Sequence, residues 1–221
     1  MTIDQRLTAE AIAELLEAYA GSPVGTAEGA VAGPDGWLGI CGRLAVYLEL
    51  ILKWNARINL TAIREPEQIV RRHFGESLFV GVRLGACATL LDYGSGAGFP
   101  GLPIQLLRPD VAVTLAESRS RKAAFLREAV RVLGLKTEVW AGRVEAMPGG
   151  RQFDAVALRA VDDMEAAVEQ AGLRARERVL IVGSSRCPVY SGLAKNFRMA
   201  EPVALPESSD GALWIARRVK A

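Results

Sequence analysis

Histidine is almost missing from this 221-residue sequence: His73 stands alone, which excludes any multi-histidine metal site, and no bound metal is expected. Cysteine is scarce as well. Cys41, Cys87 and Cys187 are odd in number, scattered, and without metal-ligand spacing. They suit a reducing compartment, the cytoplasm, better than a disulfide scaffold. Long apolar runs are lacking too. The longest, Leu44 to Leu52, is interrupted by Glu49 and too short to span a bilayer, so no membrane partner is expected. The opening residues, MTIDQRLTAE, carry no basic segment followed by an apolar stretch, and no secretory leader is expected.

What is present is 50% apolar and 24% charged residues, enough to bury a core without metal or crosslink and too apolar for a disordered chain. The net charge of +2 is unevenly spread. Residues 1–40 hold six acids (Asp4, Glu10, Glu14, Glu17, Glu28 and Asp35) and one base, Arg6, for −5, which leaves +7 on the rest. A basic body suits a polyanionic partner.

Leu7–Ala20 has the apolar spacing of an amphipathic helix, with Ile12, Leu15, Leu16 and Tyr19 on one face. Residues 21–36 are rich in glycine, alanine and proline and read as a flexible insertion. Leu38 to Asn55 repeats at helical spacing, and Pro66 suits the first turn of a third helix carrying Ile69, Val70, His73 and Phe74. From residue 88 the rhythm changes. Short apolar runs at 88–93, 111–117, 137–141, 153–159 and 178–183 are mostly separated by helical patterns, notably Arg121–Leu133, as in βαβ units with a parallel sheet covered on both faces. Two further runs, 199–205 and 212–219, flank PESSDG and predict an antiparallel hairpin at the sheet edge. The expected architecture is α/β: a helical N-terminal extension over residues 1–87, then a doubly wound domain over 88–221.

The strongest signal is the stretch from Leu90 to Gly101, LLDYGSGAGFPG, in which a strand runs into glycines and then a helix start. Glycines allow positive φ and close backbone approach, and the helix start offers free N–H groups to an anion. Gly94, Gly96 and Gly98 fit the turn of S-adenosylmethionine (SAM) methyltransferases, whereas Gly96, Gly98 and Gly101 fit the dinucleotide fingerprint. Asp92 favours the first reading, because a carboxylate there attracts the amino group or sulfonium of SAM and repels a pyrophosphate. Glu117 ends the second strand, where an acid takes ribose hydroxyls, and Arg143, Val144 and Glu145 follow the third, at an adenine edge.

Six segments then carry a family resemblance: KWNARINLTAI (53–63), RRHFGESL (71–78), LLDYGSGAGFPGLPI (90–104), ESRSRKAAFL (117–126), GRVE (142–145) and FDAVALRA (153–160). In order and spacing the chain resembles the GidB/RsmG family of 16S rRNA guanine-N(7) methyltransferases. The resemblance implies a Rossmann-like class I SAM-dependent methyltransferase fold, SAM as methyl donor, and a guanine in the 530 loop of 16S rRNA or the 30S subunit as acceptor. It places Gly94, Phe99, Val144, Glu145 and Arg159 at SAM-contacting positions. Three features depart from the family pattern. Glu76 stands where aspartate is usual, Val182-Gly183-Ser184 replaces a common Lys-Gly pair, and residues 21–36 are extra.

Arg159 ends the fourth strand, at the mouth of an open α/β site, and is the expected catalytic residue. An arginine takes no proton from a substrate, and guanine nitrogen 7, a bare lone pair, asks for no base. If structural, Arg159 would pair with Glu145 or Asp162. His73 is expected to be a packed residue rather than a catalyst, and Trp54 to pack the cap onto the sheet. Arg71 and Arg72, with Arg119, Arg121, Lys122 and Arg127 on the helix after Glu117, are the expected RNA contacts. A monomer is expected. Competing readings are a small-molecule methyltransferase, an RNA-binding assembly factor with a vestigial SAM site, and a nicotinamide oxidoreductase.

Overall fold

The computed structural model describes residues 6–20, 36–186, 193 and 196–219. Cys187 and the insertion expected at 21–36, apart from Gly36, lie outside the described residues. The chain folds as α1 (Ala9–Ala20), α2 (Gly36–Asn55), α3 (Pro66–Ile69), a π-helical turn (Val70–Gly75) and α4 (Glu76–Val82). Then come β1 (Thr89–Tyr93), α5 (Gly101–Leu107), β2 (Ala112–Ala116), α6 (Ser120–Val132) and β3 (Glu138–Trp140). A short 3₁₀ turn (Val144–Ala146) leads to β4 (Phe153–Arg159), α7 (Met164–Arg174), β5 (Ala175–Ser184), β6 (Phe197–Met199), β7 (Val203–Ala204) and β8 (Gly211–Arg218). Pro66 opens α3 as expected, where its missing N–H costs nothing.

The sheet order is β3-β2-β1-β4-β5-β8-β6, with β7 also paired to β8. β1 to β5 are parallel, and the apolar runs of β1, β2, β4 and β5 reflect burial on both faces, whereas β3 is a short, half-exposed edge strand. β8 is antiparallel to both β5 and β6. The expected C-terminal hairpin therefore forms between β7 and β8, but β8 lies inside the edge, between β5 and β6, rather than capping it.

One apolar cluster joins the N-terminal helices to one side of the sheet: Ile12, Leu16 and Tyr19 of α1, and Leu44, Tyr47 and Ile51 of α2, belong with Leu90, Leu115, Phe125 and Leu180. Trp54 lies edge-on to Phe125 of α6, ring centroids 5.6 Å apart, so it ties α2 to a helix that covers the sheet rather than to the sheet itself. Asn55, beside it, orders the following loop. Its Oδ1 accepts from Leu60 and Thr61 N–H at 2.9 and 3.2 Å, and its Nδ2 donates to the Thr61 carbonyl at 3.0 Å. The second cluster, with Leu91, Val156, Val168 and Ile181, fills the opposite face under α7.

Candidate active site

Strand register builds the site. Tyr93 of β1 is level with Ala116 of β2 and Leu158 of β4, so Gly94, Glu117 and Arg159 emerge side by side, one residue further on. The order reverses at β1, which sends one connection to β2 and has β4 on its other side, and open α/β sheets bind ligands at such a point. A cavity of about 670 Å³ lies there, within the size range of small-molecule and cofactor sites. It is lined from β1 by Tyr93 to Ala97 and Phe99, from β2 by Ala116 to Arg119 with Lys122 of α6, and from the β3–β4 connection by Gly142 to Glu145. Arg159 to Asp163 and Ala166 to Ala167 line it after β4, and Leu60 to Ala62 with His73 close it from the helical layer.

The glycine turn divides its labour. Gly94 and Gly96 adopt φ of +70° and +58°, and a side chain started at Gly96 would meet nothing closer than the Gly94 carbonyl at 3.8 Å. That backbone lies open to the cavity, the approach a bulky ligand needs. Gly98, at φ +91°, faces the core instead: a Cβ there would stand 2.5 Å from the Tyr47 hydroxyl. Tyr47 donates that hydroxyl to the Ala97 carbonyl. Glycine at 98 lets α2 reach the turn, and Gly98 is not part of the cavity wall.

Asp92 is also placed differently from expectation. It is fully buried beneath the turn, where its Oδ2 accepts from Gly101 N–H at 2.9 Å. The carboxylate thus takes a helix-start N–H that was expected to face an anion. It does not line the cavity. Its other oxygen, Oδ1, accepts no geometrically sound hydrogen bond among the described residues, and burial pushes the Asp92 pKa up to about 7. Glu117 does line the cavity, with Oε2 accepting from Gly96 N–H at 3.0 Å and Oε1 from Arg119 N–H at 2.7 Å. It thereby fixes the turn as well as offering an acid at the second strand end.

Glu145 accepts from the Tyr93 hydroxyl at 2.6 Å, which spans the gap between β1 and the β3–β4 connection. Arg174, buried on α7, holds that connection in shape by donating to the carbonyls of Val144, Met147, Pro148 and Arg151. Neither Tyr93 nor Arg174 stands out in the sequence as a site residue. Tyr93 has a usable signal, since it is the last strand residue before the glycines. Arg174 has no local signal.

Arg159 is paired, but with neither Glu145 nor Asp162. Its Nε and Nη2 donate to Glu76 Oε2 at 3.1 and 2.8 Å, and Nη2 also donates to the Arg72 carbonyl at 3.1 Å. Asp162 is instead taken by Arg119 at 2.9 Å. His73 lines the cavity, stacked on Phe99 at 4.7 Å between centroids, with Nε2 2.7 Å from Thr61 Oγ1. Burial, then the charges of Arg159 and Arg72, lower its pKa to about 3, so the ring is neutral. Of the cations expected to meet RNA, Arg71 pairs with Glu207, Arg72 with Glu76 and Arg119 with Asp162, whereas Arg121 and Arg127 stand exposed on α6. Lys122 faces the cavity. Among the described residues no cluster of histidine, cysteine or carboxylate groups could hold a metal, and no helix is long and apolar enough to cross a membrane.

Solved structures share this fold. Magnesium protoporphyrin IX methyltransferase from Synechocystis PCC 6803, with bound SAM, superposes with a TM-score of 0.57 over 78% of this chain and 97% of that one, at 12% identity. The N-methyltransferase NodS from Bradyrhizobium japonicum, with S-adenosyl-L-homocysteine, gives 0.54 over 76% and 98%, at 17% identity. The topology is thus that of class I SAM methyltransferases. By sequence, the chain is 46% identical over 127 residues to ribosomal RNA small subunit methyltransferase G of Nitrosomonas europaea, 57% of this chain and 59% of that protein. It is 45% identical over 133 residues to the Roseiflexus protein of the same name, 58% and 57% respectively. The chain therefore matches less than two thirds of the length of these relatives. The GidB family, described as rRNA small subunit methyltransferase G, matches residues 40–185, from within α2 to just beyond β5. This chain belongs to the GidB family.

Proposed function

We propose that this chain transfers a methyl group from SAM to nitrogen 7 of a guanine in the 530 loop of 16S rRNA. The observation that carries the reading is the row of strand ends around the cavity: Glu117, the open Gly94–Gly96 backbone, and Arg159, side by side in a member of the GidB family. The residues fit SAM. Glu117 is placed for ribose hydroxyls, Val144 and Glu145 for the adenine end, Gly94 and Gly96 for close passage of the chain between them, and Phe99 for an apolar wall. SAM supplies an electrophilic methyl on a sulfonium; the protein contributes alignment and exclusion of water.

Two polar residues of the cavity wall, Arg159 and His73, make poor general bases near neutral pH. A guanidinium is no general base, and burial lowers the His73 pKa to about 3. That pair suits an acceptor atom that has a lone pair and no proton to lose, as guanine nitrogen 7 does. Positive charge moves to the purine during transfer, and Glu145, Asp162 and Asp163 on the cavity wall would temper it. The names of the relatives support small-subunit rRNA as the polymer.

The test is chemical. A guanine methylated at nitrogen 7 is cationic, and its chain cleaves after reduction and aniline treatment. Purified protein, SAM and 16S rRNA or 30S particles are expected to give one such cleavage, inside the 530 loop. Methyl incorporation at another atom, or none on either RNA form despite SAM binding, overturns the proposal, and the latter result favours an assembly factor.

A further inference from the structure

Arg159 reaches the cavity with most of its donors already spent. Glu76 binds Nε and Nη2, the Arg72 carbonyl binds Nη2 again, and Nη1 donates to no described residue. Glu76 is 4% exposed and on its other oxygen accepts from Arg72 Nε at 3.0 Å. One buried carboxylate thus holds two guanidiniums, and it gets there through the π-helical turn, which sets His73 on the cavity wall and Glu76 behind it. Such turns are rare inside helices and cluster at functional sites.

We propose that Glu76 is a positioning residue: it locks the Arg159 fork so that the Nη1 edge faces the cavity and receives the carboxylate of the amino-acid end of SAM. The inference rests on the SAM reading of the cavity. Along the sheet the wall runs from Val144 and Glu145 after β3, to Glu117 after β2, to the glycines after β1, to Arg159 after β4. A ligand with adenine and ribose at the first two stations has its amino-acid end at the last. The carboxylate is the anionic group of SAM, and Arg159 is the cation at that station. Without the Glu76 charge, two guanidiniums would face each other unshielded, and the Arg159 fork would be free to turn away.

The full chain tests this by calorimetric titration with two probes. S-adenosylhomocysteine carries the amino-acid part; 5′-methylthioadenosine keeps adenine, ribose and sulfur but lacks it. Glu76→Gln is expected to weaken S-adenosylhomocysteine on the order of ten-fold, the scale of one charged hydrogen bond, and to leave methylthioadenosine within about two-fold. Glu76→Asp, which keeps the charge, restores part of the loss. In an Arg159→Ala background Glu76→Gln has no further effect on S-adenosylhomocysteine. Equal weakening of both probes, no weakening of either, or an undiminished effect without Arg159 overturns the proposal and makes Glu76 a wall residue only. Should Glu76→Gln not fold, Glu76→Asp and Arg159→Lys are read by the same ratio: selective loss supports the proposal and parallel loss overturns it. If the unsubstituted protein binds neither probe, the SAM reading itself fails, and the proposal with it.

Discussion

Two buried groups under the site respond to pH in opposite senses. Asp92 has its pKa raised from 3.8 to about 7 by burial, so the fold favours its protonated form. Its contribution to stability is whole below its unfolded value and is lost as pH rises through about 7. His73 has its pKa lowered from 6.5 to about 3, first by burial, so its contribution is whole above 6.5 and is lost as pH falls toward 3. The two windows overlap and partly cancel in the unsubstituted protein. Asp92→Asn separates them, since an amide oxygen can still accept from Gly101 while nothing titrates. Any cost of the buried amide is independent of pH. Urea unfolding is expected to show the variant gaining on the parent by roughly a few kcal/mol between about pH 5 and about pH 8. A stability difference that stays flat with pH would mean that the Asp92 carboxyl is not held neutral in the fold.

The element that shapes the acceptor side is the π-helical turn, and its last residue, Gly75, is fixed by α1. A Cβ there would stand 2.7 Å from ring atoms of the fully buried Tyr19, although the helical backbone at Gly75 would otherwise welcome alanine. The ring cannot retreat as a flexible side chain would, so overpacking wins over propensity. Gly75→Ala is expected to lose about 1–3 kcal/mol in chemical denaturation, and Tyr19→Leu in the same chain to return part of it. The sequence makes some elements plain and hides others for physical reasons. β1, β2, β4 and β5 are legible because strands buried on both faces are continuously apolar, and Trp54, Asn55 and the glycine turn are legible as local motifs. The π turn is not, because Ile69, Val70, His73 and Phe74 keep an ordinary helical spacing whichever way the backbone winds. The Glu76–Arg159 pair joins residues 83 apart in sequence, which no local pattern encodes. The direction of Asp92, toward Gly101 rather than the cavity, depends on a short helix start whose angle only the tertiary fold sets.

At the scale of the whole molecule, the basic excess beyond residue 40 is less available than the sequence suggests. Three arginines expected to meet RNA are paired with carboxylates, Arg72 and Arg119 from exposed positions, whereas Arg121 and Arg127 are exposed and make no ion pair among the described residues. They sit on α6, which follows Glu117 at the rim of the cavity, where a polyanion bound over the site would pass. Replacing both with glutamine is expected to flatten the salt dependence of binding to a 530-loop RNA by about 0.7 in log–log slope for each phosphate no longer neutralised. Affinity for S-adenosylhomocysteine stays as it was. Fluorescence anisotropy across a salt series reads the slope, and an unaltered slope would place the RNA elsewhere on the surface.

The position of β8 has a consequence for how the protein is made. It is the last of the described strands, yet it lies between β5 and β6 and is paired to β7 as well. During synthesis β5 is complete with its apolar residues Val179 to Val182 in place while the strand that covers its edge has not been translated. At about 5–20 residues per second, the ribosome leaves that edge unpaired for a few seconds, and β6 and β7 wait with it. An open edge on an apolar strand is a template for pairing with another chain, so the nascent protein stays exposed to aggregation until β8 joins the sheet.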